Sequence, residues 1–221
     1  MSVRNVFWGA LAFLLAASMA WAGVAGNQKS GADALAMLKE GNARFVAGKA
    51  VHPRAASDRL AATTSGQHPF ATVLTCSDSR VPPEILFDQG VGDLFVVRVA
   101  GNVIGQDVQA SIEYGVEHLH TPLLLILGHT HCGAVTAAVQ AAEAEGAIPA
   151  LLWKIQPAAR WAKAHGEGDV VERAIERNVQ LSLQEIQFAS PVTRTLMEQG
   201  KLKAVGAIYD LASGKVRWLN F

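Results

Sequence analysis

Apolar positions along this chain follow two alternating rhythms. Three short runs, at residues 71–75, 94–99 and 123–127, are apolar or β-branched almost throughout, the pattern of strands buried on both faces. Between and after them the spacing becomes helical. Leu35, Leu38 and Phe45 share a face across residues 33–46, with Ser30 as a candidate cap. Val108, Ile112, Val116 and Leu119 do the same across residues 106–119, and an Ala-rich helix is expected from Val135. Ile175, Val179, Leu183 and Ile186 mark one face of a long helix over residues 170–188. Pro191 is well placed to open another short helix that ends at Gly200. Two runs, 204–209 and 215–219, flank Ser213-Gly214 as a hairpin. Residues 48–66 show no period and are expected to cross the surface. The whole predicts an α/β fold: a mostly parallel central β-sheet flanked by helices, with an antiparallel C-terminal edge strand. No linker or repeat divides residues 33–221, so one catalytic-sized domain is expected there.

The N-terminus departs from this pattern. Arg4 precedes an apolar stretch at residues 6–19, and Ala20-Trp21-Ala22 fits the small-x-small rule for signal peptidase. Residues 1–22 therefore read as a signal peptide and 23–32 as a flexible leader. An uncleaved membrane anchor ranks second, because the stretch is shorter than the roughly 20 residues a bilayer span needs. A periplasmic or otherwise exported protein follows as an expectation, with no membrane span in the mature chain. Composition adds exclusions. Half of the 221 residues are hydrophobic and 17% charged, which excludes a disordered polymer. Lys+Arg and Asp+Glu are both 19, with no basic run, so nucleic acid is not an expected partner.

The chain has only two cysteines, Cys76 and Cys132. On count alone, an exported protein would join them in a disulfide. Their positions argue otherwise, since each follows an apolar strand, and in parallel sheets the C-terminal strand ends converge on the ligand crevice. Asp78 and Arg80 follow the first cysteine; His129 and His131 precede the second. Two Cys and one His suit Zn²⁺, and an open fourth position would make such a site catalytic.

At this point the chain resembles a family. Cys76-Ser-Asp78-Ser-Arg80-Val-Pro, then Gly92-Asp-Leu-Phe95-Val-Val-Arg98-Val-Ala-Gly-Asn102, are similar to segments of the β-class carbonic anhydrases. So are Glu113-Tyr114-Gly-Val, Gly128-His129-Thr-His-Cys132-Gly and Tyr209-Asp-Leu-Ala-Ser-Gly-Lys215-Val. The resemblance spans residues 38–219 and implies a zinc enzyme, one Zn²⁺ per chain, that interconverts CO₂ and bicarbonate as a homodimer or homotetramer.

The resemblance also implies roles. Cys76, His129 and Cys132 match the constant metal ligands. Asp78 matches a carboxylate that either becomes the fourth ligand or pairs with Arg80. Gln67, Phe95 and Tyr114 match the substrate pocket of the plant-like branch: an amide donor to a CO₂ or bicarbonate oxygen and two aromatic walls. Val73 stands where the other branch carries a tryptophan associated with bicarbonate inhibition. Arg98 and Asn102 are expected to hold strand and loop in place. Zinc lowers the pKa of bound water to about 7, so that hydroxide is available to attack CO₂. Two other readings stay open. One is a zinc hydrolase of a CO₂ analogue, carbonyl sulfide or carbon disulfide, on the same fold. The other is a non-catalytic exported binding domain with Cys76 and Cys132 in a disulfide.

Overall fold

A computed structural model describes residues 29–220. The expected signal peptide and most of the leader lie outside the described residues. Five strands form one sheet in the order β2-β1-β3-β4-β5: β1 (Ala71–Thr75), β2 (Leu94–Arg98), β3 (Leu123–His129), β4 (Lys203–Tyr209) and β5 (Val216–Trp218). The first four are parallel neighbours and β5 joins β4 antiparallel, as the hairpin pattern predicts.

Period-2 alternation sorts the strand side chains into two cores. Leu74, Leu124, Ile126 and Ile208 face one layer of helices, while Val73, Leu123, Leu125, Leu127 and Ala207 face the other. The first layer is α5 (Gly133–Gln140), α6 (Ile148–Ala164) and α7 (Val170–Ala189), with α4 (Gln106–Glu113) beside them. The second is α1 (Gly31–Val46) with the short α3 (Pro83–Leu86). The connection from β1 leaves to one side and the connection from β2 returns past β1 to β3. The C-terminal ends of β1 and β3 therefore flank the switch point where such sheets bind ligands.

Several boundaries differ from the sequence pattern. Helix α1 takes in Gly31 and Ala32, assigned above to the leader, because Ser30 and Asp33 form a reciprocal capping box. The aperiodic stretch at 48–66 contains a short exposed helix, α2 (Ser57–Thr63), too brief to show a face. The helix expected over 106–119 is α-helical only to Glu113 and continues as a π turn, Tyr114–His118. Gly115 lies in that turn, where a Cβ would sit 2.3 Å from Thr72 Oγ1. The seventeen-residue helix α6 carries Pro157 in its interior, which hides it from a helix search. Its buried face of Leu152, Ile155, Ala159 and Ala162 packs on α7 and α5. Helix α8 (Pro191–Glu198) opens at Pro191 as expected, capped by Ser190.

The irregular segment after α1 is tied down by a buried carboxylate. Asp88 accepts from Arg44 Nε at 2.6 Å and from the amides of Val51 and His52 at 3.1 and 2.8 Å. Burial alone would raise its pKa; the Arg44 guanidinium and the two amides overcome that and hold it below the ordinary value. Its stabilisation is therefore complete above about pH 4 and fades as acid protonates the folded carboxylate. Asp88→Asn is expected to cost about 2 kcal/mol at neutral pH. Urea midpoints of variant and parent should converge as the pH drops below about 4; a gap unchanged across that range would refute the assignment.

Candidate metal centre

The end of β1 and the end of β3 deliver the site. Thr75 pairs with Leu127, and Thr75 Oγ1 donates to Leu127 O at 3.0 Å, so Cys76 emerges beside His129. Cys132 then caps the start of α5. All three side chains are buried, and their ligand atoms lie within 4.8 Å of one another. The two sulfurs are 4.0 Å apart and both cysteines are free, so no disulfide joins them. Zn–S bonds of about 2.3 Å at tetrahedral angles put two sulfurs about 3.8 Å apart, close to what is found. His129 is fully buried, its Nδ1 is 2.9 Å from Thr130 O, and its buried Nε2 has no hydrogen-bond partner. An imidazole fixed by one nitrogen, with the other buried beside two thiols and without a hydrogen-bond partner, is held as a metal-ligating histidine is held. The donor set fits zinc.

Electrostatics agree. Cys76 is the more acidic thiol, chiefly because Cys132 donates to it, with amides of Gly101 and Asp78 also directed at its sulfur at 3.3 and 3.4 Å. Cys132 is pushed up by that same contact and by burial. The same sulfur–sulfur contact thus lowers one thiol and raises the other, and a dication placed between them would be met by both.

Asp78 lies against this cluster without joining it. Its Oδ1 accepts from Arg80 Nε at 2.9 Å and its Oδ2 from Arg80 Nη2 at 2.7 Å, a two-pronged pair. The Arg80 side chain holds the Asp78 carboxyl well below the usual carboxylate range. Asp78 Oδ2 is still only 3.9 Å from His129 Nε2. In this structure the carboxylate is paired with arginine, one of the two arrangements the sequence left open.

A carbonic anhydrase family model matches residues 71–216. The chain belongs to the carbonic anhydrases. A carbonic anhydrase of Mycolicibacterium smegmatis is 42% identical over 184 residues, 81% of this chain and 88% of that one. Carbonic anhydrase 2 of Mycobacterium tuberculosis is 41% identical over 183 residues, 80% of this chain and 87% of that one. Among solved structures, the β-carbonic anhydrase CafA of Aspergillus fumigatus superposes with a TM-score of 0.68 at 31% identity, covering 86% of this chain and 90% of that one. The β class and its zinc chemistry follow from the family, the fold and the buried cluster together.

In this β-class chain the three residues expected to line the substrate pocket, Gln67, Phe95 and Tyr114, stand apart from the metal cluster. Phe95 and Tyr114 are in contact, ring centroids 5.9 Å apart, and Phe95 pairs in register with Thr72. Thr72 precedes Cys76 by four residues, about 13 Å of strand. Gln67 is exposed in the loop entering β1. All three lie toward the strand ends opposite the cysteines. Arg98, by contrast, is closer to the chemistry than sequence alone indicated. Its Nε donates to Cys76 O at 3.1 Å and its Nη2 to Asp78 O at 2.6 Å, clamping the loop that carries ligand and carboxylate.

Arg98→Ala should free both carbonyls and weaken zinc binding about tenfold to a hundredfold, the usual cost of losing an outer-shell partner. Chelator competition measures it, and an unchanged affinity would reduce Arg98 to a surface residue. Denatured, metal-free protein should titrate with two thiols per chain.

Proposed function

We propose that this chain catalyses the reversible hydration of CO₂ to bicarbonate and a proton, with one Zn²⁺ held by Cys76, His129 and Cys132. The observation that carries the reading is a buried cluster of two sulfurs and one imidazole, with a carboxylate kept beside it by an arginine. Zinc bound there supplies Lewis acidity that brings the pKa of water down to about 7. The remaining work falls to the chain. Arg80 occupies both oxygens of Asp78, which keeps the carboxylate ionised, oriented and away from the fourth position. The lone pairs that Arg80 leaves free on Asp78 accept a hydrogen bond from the attacking water and turn its nucleophilic lone pair toward CO₂. The names of the two mycobacterial relatives support the substrate. Free thiols remove the disulfide-bonded alternative, and no feature of the site favours carbonyl sulfide or carbon disulfide.

Gln67, Phe95 and Tyr114 act in this scheme from a second copy. Tyr114 is 43% exposed while its ring lies tilted against that of Phe95. A homodimer, or a pair of dimers, that brings Gln67 and this aromatic pair over a neighbouring metal centre supplies an amide donor for a substrate oxygen and aromatic walls that exclude water. Export is the third element, supported by the sequence of residues 1–22. No helix among the described residues is long and apolar enough to cross a membrane.

Purified protein should carry one zinc per chain and hydrate CO₂ in stopped flow. Asp78→Ala should lower kcat by about a hundredfold or more, the range for a positioned acid–base group, with zinc retained. Zinc-loaded wild type without hydration would overturn the activity. Tyr114→Ala is expected to shift the native mass toward monomer and to reduce kcat/KM together with it. Secreted material should begin at Gly23 on N-terminal sequencing, and an intact Met1 would refute export by cleavage.

A further inference from the structure

The inner face of α7 is apolar, with Ala174, Ile175, Val179, Leu183 and Ile186 all buried against the sheet. Two polar side chains interrupt it one turn apart: Asn178 and Ser182, each only 3% exposed. Both reach the same place. Asn178 Nδ2 donates to Gly101 O at 2.7 Å, and Ser182 Oγ donates to Asn102 O at 3.1 Å. These carbonyls belong to a single 3₁₀ turn, Ala100–Asn102, between β2 and α4. Gly101 sits there at φ 68°, a left-handed conformation suited to glycine. A Cβ at Gly101 would also lie 2.7 Å from Ile155 Cδ1, so α6 closes over it. The N–H of that same Gly101 donates to Cys76 Sγ at 3.3 Å. The turn is gripped from behind through its carbonyls and directs an amide hydrogen forward at sulfur.

We propose that Asn178, assisted by Ser182, is a positioning residue for the metal centre: by holding Gly101 it sustains an N–H···S bond that draws charge off the Cys76 thiolate. The inference rests on the zinc reading above. Two thiolates make a zinc ion electron-rich, which opposes the acidification of its water. A hydrogen bond to one sulfur competes for the lone pairs that would otherwise be given to the metal. Packing alone gives no reason for an amide at position 178, since an apolar side chain of similar volume suits the α7 face and avoids the cost of burying a polar group. The pairing with Gly101 supplies that reason.

The test uses Asn178→Leu, which keeps the branched side-chain skeleton and removes the donor, and Ser182→Ala, which loosens one of the two grips. Each is compared with wild type as zinc enzyme and as cobalt(II)-substituted enzyme. With the N–H···S bond weakened, the thiolate-to-cobalt charge-transfer band is expected to move to longer wavelength. The pH profile of CO₂ hydration should move to alkaline pH in the same order, and metal affinity should change by about tenfold. Ser182→Ala should show the same shifts at smaller size. Folded variants with the wild-type band, profile and affinity would overturn the proposal and leave Asn178 a structural strut. If Asn178→Leu fails to fold, an unshifted band in Ser182→Ala overturns it equally. A wild-type cobalt form lacking thiolate charge transfer would overturn the zinc assignment itself, and this inference with it.

Discussion

Two thiols 4.0 Å apart in a buried space cannot both ionise unless a cation lies between them. That constraint organises the rest. With only a proton to share, Cys76 becomes the acid and Cys132 stays protonated; with a dication, both become ligands and the protons leave. The fold has to hold this pair in place although mutual repulsion would separate it. It does so with parts that are themselves rigid: the end of β1, the end of β3, and the first turn of α5. Arg98 then fixes the loop after Cys76 by its carbonyls, and Arg80 keeps the neighbouring carboxylate from adding a third negative charge to the cluster.

What could be read from the sequence follows from how each element is encoded. The three strands are nearly continuous apolar runs whose limits agree with the structure to within a residue or two; β1 and β3 are buried throughout, whereas β2, expected to be buried like them, is the edge strand and only partly buried beyond Leu94. The ligands were legible because chemistry-bearing residues stand out when they directly follow such a run. Helix α6 was not legible, because Pro157 and its many alanines weaken the amphipathic signal while tertiary contacts with α5 and α7 hold the helix anyway. The π turn at Tyr114–His118 was also hidden. It answers to the close approach of Gly115 and Thr72, a contact 43 positions apart that no local periodicity encodes.

The state of Asp78 shows a different kind of limit. Spacing alone permits a carboxylate two residues past the cysteine to turn either toward the metal or toward Arg80. The structure shows the second arrangement, a fork from Arg80 that meets both oxygens. The aromatic and amide residues of the pocket are a third case. Their types were readable, but Gln67, Phe95 and Tyr114 lie toward the strand ends opposite the cysteines, a separation that the motifs do not encode.

The long path from α1 to β1 has a consequence for resistance to proteolysis. Exposed connections of this length are the usual sites at which proteases nick a folded chain. Here Asp88 binds two consecutive amide regions of the segment, and Asp93 takes the side chain of Arg54 at 2.7 Å with Arg59 also within ion-pair range at 3.5 Å. A protease needs roughly an extended stretch of backbone lifted free of its host. Peeling away the part that runs from Val51 to Arg59 means stripping two buried carboxylates of their partners at once, so this part of the path is held against digestion although it runs over the surface.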